Sequence, residues 1–198
     1  MLRPRALDLR LIAAVLLMGL MGCAPPPASS AQLRDPVPPP PSNLTVPGVA
    51  YRVHQAVNRA RTERGLGPLR LDPALADLAR GHSADMALRG YFAHADPEGR
   101  QAGSRAREAG YRYRYLGENL FAGTLYSQTS VRVVGGQRDV FYRWYTQEEL
   151  AEEVVRGWLE SPGHRRNLLS AQYTHEGIGV AFGENGTVLV TQKLSEPR

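Results

Sequence analysis

Cysteine is all but missing from this chain: the 198 residues hold one, Cys23. One cysteine forms no internal disulfide and no thiolate metal cage, and a cysteine nucleophile is excluded unless Cys23 itself stays free. Lysine is equally scarce, since Lys193 stands alone among cations that are otherwise arginine. No strand leads into a glycine-rich turn and helix, which removes phosphate-loop and dinucleotide-binding readings. No serine sits in a nucleophile elbow, and no repeat of 20 to 50 residues recurs.

What is present begins at the N-terminus. Arg3, Arg5 and Arg10 precede the apolar run "LIAAVLLMGLMG", whose 12 residues are too few to span a bilayer and suit the core of a secretory signal. Without Arg3, Arg5, Arg10 and Asp8 the formal charge falls from +5 to +3, so nothing argues for a nucleic-acid partner. The run ends in Leu20, Met21, Gly22 and Cys23, which resemble the lipobox of bacterial lipoproteins. That resemblance implies cleavage before Cys23 and lipid attachment to it, with a plain cleaved signal as the alternative.

The segment "APPPASSAQLRDPVPPPPSNLTV" is dense in proline and poor in large apolar residues. It reads as a stiff tether reaching at most ~70 Å at ~3.1 Å per residue. The expected organisation is a signal over 1–22, a lipidated cysteine and tether over 23–46, and one folded domain over 47–198.

Within that domain, Val49, Val53, Ala56, Val57 and Ala60 recur at helical spacing with Gly65 as a stop. Asp72 and Pro73 open a second helix that Gly90 closes, and "AGSRAREAGY" suggests a short third. "YLGENLFAG" reads as irregular, and residues 125–145 as a hairpin about Gly135 and Gly136 that is an insertion able to gate the cleft discussed below. Thr146 and Glu149 form a capping box for a helix burying Leu150, Val154, Val155 and Trp158. "GIGVAF" and "TVLVTQKL" are strands joined at Asn185 and Gly186. Helices first and a hairpin last favour an α+β fold, an α-β-α sandwich on a mainly antiparallel sheet.

Three polar segments flanked by glycine or proline carry titratable side chains: "GYFAHADPEG" with His94, "GENL" with Glu118, and "SPGHRRN" with His164. Ser-Pro-Gly ends the helix near Glu160 and places His164 in a loop. His82, in the middle of an apolar stripe, reads as a hydrogen-bonded core residue. Arg105, Arg107, Arg112 and Arg114 are either a solvated surface or an anion site.

The series "ARGHSADMALRGYFAH", "REAGY", "GENLFAG", "VVRGWLESPGHRRNLL" and "GIGVAF…VLVTQ" resembles, in order and spacing, bacterial members of the CAP superfamily of cysteine-rich secretory, antigen 5 and pathogenesis-related proteins. The resemblance covers about Val49 to Leu194 and implies the α-β-α sandwich. It also implies a cleft of two histidines and two glutamates that holds zinc in several members, with His94, Glu118 and His164 at three of those positions. The position of the second glutamate is taken by Ser161, while Glu160 reads as a solvated charge. Asn119 and Ser161 are expected at the cleft's margin.

Two imidazoles without a third protein ligand make a weak, exchangeable zinc site, and a hydrogen-bonded brace of the same residues is the alternative. The functional expectation is a membrane-anchored protein of the cell envelope, on the outer side of the cytoplasmic membrane or in the outer membrane, binding a lipid, sterol, cell-wall glycan or envelope partner. The alternative is a metal-assisted hydrolase of protein or cell wall with Glu118 as general base, while a two-carboxylate glycosidase is weakened by Ser161.

Overall fold

A computed structural model describes residues 37–198, so the signal, Cys23 and most of the proline-rich segment lie outside the described residues. The elements run α1 (Val46–Thr62), β1 (Arg70–Leu71), α2 (Pro73–Arg89), α3 (Ala102–Glu108), β2 (Tyr113–Thr124), β3 (Tyr126–Val134), β4 (Gln137–Trp144), α4 (Gln147–Glu160), α5 (Pro162–Leu168), β5 (His175–Phe182) and β6 (Thr187–Pro197). Among the described residues no helix is long and apolar enough to cross a membrane.

Helix boundaries follow local chemistry. Asp72 Oδ1 accepts from the amides of Ala74 and Leu75, Pro73 supplies the first helical φ, and Gly90 ends α2 at a φ of 67°. Thr146 and Glu149 cap α4 reciprocally, at 3.1 and 2.9 Å. Asn185 (φ 55°) and Gly186 (φ 68°) make the left-handed turn between β5 and β6.

The main sheet has the order β1-β5-β6-β2, with β1 parallel to β5 and the other pairs antiparallel. Helices α2 and α3 cover one face, α1, α4 and α5 the other, so the α-β-α sandwich holds. Leu44, Val49, Val53, Val57, Leu150, Val154, Trp158, Ile178, Val190 and Leu194 close the main core, and each large side chain fully buried there contributes about 1.5–3 kcal/mol. The described residues belong to one compact unit. On the opposite face Gly177 and Gly179 let the backbone of α2 lie directly on β5.

Two expectations change. "YLGENLFAG" is not irregular but the core of β2, an edge strand paired with β6 along its whole length. Its outward-facing carbonyls at Glu118 and Leu120 are taken by Asn167 Nδ2 (3.2 Å) and Trp158 Nε1 (3.0 Å), which blunts the edge. His164 is not in a loop: Ser161 closes α4 and opens α5, Pro162 is the first residue of that new helix, and His164 follows two positions on. The hairpin of β3 and β4 forms a separate two-stranded sheet. It leaves β2 beyond Thr124, six residues from Glu118 and roughly 20 Å along the strand.

Candidate functional site

The edge position of β2 builds the site. Alternate side chains of a strand point to opposite faces, so Glu118 looks toward the α2 and α3 layer and Asn119 toward the α1, α4 and α5 layer. His94, on the loop after α2, approaches the edge from the first layer, and His164, on α5, from the second. Their ring centroids stand 6.5 Å apart at a tilt of 59°. The three residues predicted to share a cleft are therefore brought together.

Glu118 is the hub, with its side chain 3% exposed. Its Oε1 accepts from His94 Nδ1 at 2.8 Å, and its Oε2 accepts from Arg105 Nη2 at 2.9 Å and Lys193 Nζ at 2.5 Å. Burial alone would raise its pKa. The hydrogen bond from His94 and the charges of Lys193 and Arg105 outweigh that and hold the carboxyl at about 2. Desolvation lowers the pKa of the Lys193 ammonium, 1% exposed, from its ordinary value, and the Glu118 charge offsets that in part.

Lys193 is the functional residue that sequence reasoning missed, and Arg105 was read only as one of a group of arginines. The one lysine of an arginine-rich chain, set within the apolar strand "TVLVTQKL", was the available signal. Arg105 turns inward and also donates to the His94 carbonyl at 3.0 Å. Arg107 instead meets Tyr113 and Ser104, and Arg114 pairs with Glu196, so the four arginines do not form one anion site.

The loop bearing His94 is braced from inside. His82, 2% exposed, donates from Nε2 to the Ala93 carbonyl at 3.0 Å, one residue before His94, and burial lowers its pKa so that it stays neutral. It is the core histidine expected, and it also positions its neighbour. Asp96 accepts from the Arg100 amide and Nε, both at 2.8 Å, closing the same loop.

Asn119 is fully buried and donates to the His164 carbonyl at 3.1 Å, joining the strand to α5. Ser161 places no hydroxyl cap on α5, and its part is the backbone junction. Glu160 pairs with Arg156 at 2.8 Å on the exposed face of α4, a solvated charge as read.

This arrangement fixes tautomers. A carboxylate only accepts, so Nδ1 of His94 carries the proton it gives to Glu118, and Nε2 is the ring nitrogen left free of that bond on a half-exposed side chain. Burial, with the neighbouring His94, lowers the His164 pKa and favours its neutral form. Two neutral imidazoles fit the donor chemistry of a borderline-soft divalent cation. Among the described residues no group of three or more histidine, cysteine or carboxylate side chains converges as a ligand set.

The Glu118 shift makes stability depend on pH. Its folded value lies below the ordinary 4.5, so the contribution is present above about 4.5 and is lost as pH falls through about 2. Urea melts of the wild type between pH 5 and 2 are expected to lose roughly 2–3 kcal/mol beyond the loss in E118Q. Parallel acid slopes in the two proteins would contradict this.

Comparison with known proteins adds family and fold. Residues 54–194 match the cysteine-rich secretory protein family, CAP. The uncharacterized protein YkwD of Bacillus subtilis is 30% identical over 145 residues, covering 73% of this chain and 46% of that protein. The uncharacterized membrane protein YlbC of the same organism is 32% identical over 123 residues, 62% of this chain and 29% of its own. The chain thus spans less than half the length of these relatives. Among solved structures, an extracellular protein containing a SCP domain from Bacillus anthracis superposes with a TM-score of 0.58 at 28% identity, over 76% of this chain and 41% of that one. An outer surface protein from Borrelia burgdorferi gives 0.59 at 14% identity, over 76% and 93% respectively, a likeness of fold alone.

Proposed function

The chain belongs to the cysteine-rich secretory protein (CAP) family, and from that premise we propose that it is a binding domain of the cell envelope whose cleft presents His94 and His164 to a divalent metal, zinc first. The observation that carries this reading is the engagement of both Glu118 oxygens. A base whose conjugate acid has a pKa of about 2, held by Lys193, Arg105 and His94, removes protons poorly at neutral pH, so the general-base hydrolase fits less well. Glu118 instead orients His94 as a ligand. The metal, when bound, supplies a Lewis-acidic centre with open positions for an incoming oxygen or nitrogen donor.

Attachment through a lipidated Cys23 accords with the apolar run before it and with the extracellular and membrane descriptions of two relatives. For the ligand, a lipid chain has a place to lie. An apolar groove of about 410 Å³ between α1 and α2 is lined by Val46, Ala50, Tyr51, Leu71, Ile178 and Val180.

Residues 37–198 titrated with zinc chloride in a calorimeter are expected to bind one ion, and H94A/H164A to bind none while its metal-free melting stays within about 1 kcal/mol. Loss of stability in the double variant without any zinc binding by the wild type would favour the brace instead. Cleavage products from cell-wall fragments or phospholipid, abolished by E118Q, would restore the hydrolase.

A further inference from the structure

The cleft accounts for one buried carboxylate, and the core holds a second. Glu176 on β5 is fully buried beneath α1 on the sheet face opposite Glu118. Its partners form a row across three strands and out to α5. His54 Nδ1 meets Glu176 Oε1 at 2.6 Å, and Gln192 Nε2 donates to Glu176 Oε2 at 2.7 Å. Asn119 Nδ2 donates to Gln192 Oε1 at 2.9 Å and to the His164 carbonyl at 3.1 Å. Asn167 Nδ2 donates to Asn119 Oδ1 at 3.0 Å and to the Glu118 carbonyl at 3.2 Å. Glu176, Gln192 and Asn119 are each 0% exposed, so no water competes for these bonds.

The row has a direction, and its origin is the charge on Glu176. Asn58 fixes the outer end: its Oδ1 accepts from the Leu69 amide at 2.8 Å, which turns Nδ2 toward His54 Nε2. His54 Nε2 therefore accepts, and Nδ1 carries the proton that is given to Glu176. The Arg61 guanidinium is buried and bonded to backbone carbonyls; burial lowers its pKa, and the field of Glu176 offsets part of that. A carboxylate accepts on both oxygens, so Gln192 must aim its NH2 at it and its oxygen at Asn119. Asn119 must then aim its NH2 at Gln192 and at the His164 carbonyl, and its oxygen at Asn167. Reversing any member sets donor against donor, or oxygen against oxygen, at the next.

We propose that Glu176, held by His54 on the far layer, is a positioning residue for His164: its charge orients the Gln192 and Asn119 amides, and these hold the His164 peptide and α5 against β2. Helix α5 has seven residues and no side-chain cap of its own, so these bonds do what its own length does not.

The test exchanges charge without changing shape. E176Q has a neutral amide at the origin and forces a donor-against-donor contact on Gln192, whereas E176Q/Q192E moves the carboxylate one strand over and restores acceptors toward both His54 and Asn119. In metal-free residues 37–198 labelled with nitrogen-15, E176Q is expected to shift the His164 ring and Asn119 side-chain amide resonances. The double variant is expected to return both toward wild type. With zinc, which rests on the cleft reading above, E176Q is expected to bind about tenfold more weakly and the double variant to recover. Unchanged His164 resonances in E176Q, or no recovery in the double, would overturn the inference. A wild type that takes no zinc would sink the cleft reading alone, because the resonances decide this one. Should E176Q fail to fold, E176M/Q192L replaces the same pair with apolar side chains and is read by the same His164 signals.

Discussion

K193M is expected to lower the unfolding free energy by about 1.5–3 kcal/mol at neutral pH, the usual worth of a charge-assisted hydrogen bond lost from a buried carboxylate. Lys193 is 1% exposed and its ammonium lies 2.5 Å from Glu118 Oε2, an oxygen that keeps only the Arg105 bond at 2.9 Å once the ammonium is gone. Methionine fills the volume, so the loss is electrostatic rather than a cavity. Two further measurements separate this from general damage. The deficit should shrink as pH falls below about 4.5, because Glu118 without the Lys193 charge takes up a proton more readily. It should also shrink in E118Q/K193M, which removes both charges. Urea denaturation of the wild type, K193M, E118Q and E118Q/K193M at pH 7 and pH 4 reads these outcomes, and a K193M deficit under about 1 kcal/mol would show that the pair does not hold the core.

The second large effect is expected at Gly179. A methyl group there would lie well inside contact distance of the Ala79 carbonyl and the Arg80 amide nitrogen, which are backbone and have no rotamer to yield. Helix α2 must lift from β5 and weaken the Ser83 hydroxyl bonds to the Gly179 carbonyl (3.0 Å) and Thr191 (2.8 Å). It would also loosen Leu75, Ala79 and Met86, all 0% exposed. G179A is therefore expected to lose about 3 kcal/mol or more, despite adding a single carbon. The internal control is G81A, on the exposed side of the same helix with nothing within 4 Å of the added carbon. It should gain about 0.5–1 kcal/mol from helix propensity. Thermal melts in which G179A and G81A move together would remove the close-packing argument.

These two glycines show how differently parts of this fold are written in its sequence. Asp72-Pro73 with Gly90, Thr146 with Glu149, and Asn185-Gly186 each satisfy or shape the backbone within a few residues, so the ends of α2, the start of α4 and the last turn were legible. Strand β2 was not, because Gly117, Gly123, Glu118 and Asn119 break the alternation that marks a strand. Those glycines answer distant side chains and local rings: Gly117 faces Tyr173, and Gly123 the ring of Phe121. The Ser-Pro-Gly stretch misled because proline ends one helix and begins another with equal ease, and only the backbone after it tells which.

The sequence by itself determined the layer order, most helix ends and the identity of the cleft residues His94, Glu118 and His164, since each depends on contacts between near neighbours or on motifs read in order. Only the tertiary structure decided what those residues do. Pairing β2 with β6 sets Glu118 opposite Lys193, and pairing β6 with β5 brings Gln192 within reach of Glu176. Whether a carboxylate is a base, a ligand or an anchor depends on its partners and its burial, and strand pairing across 16 and 75 residues of chain supplies both.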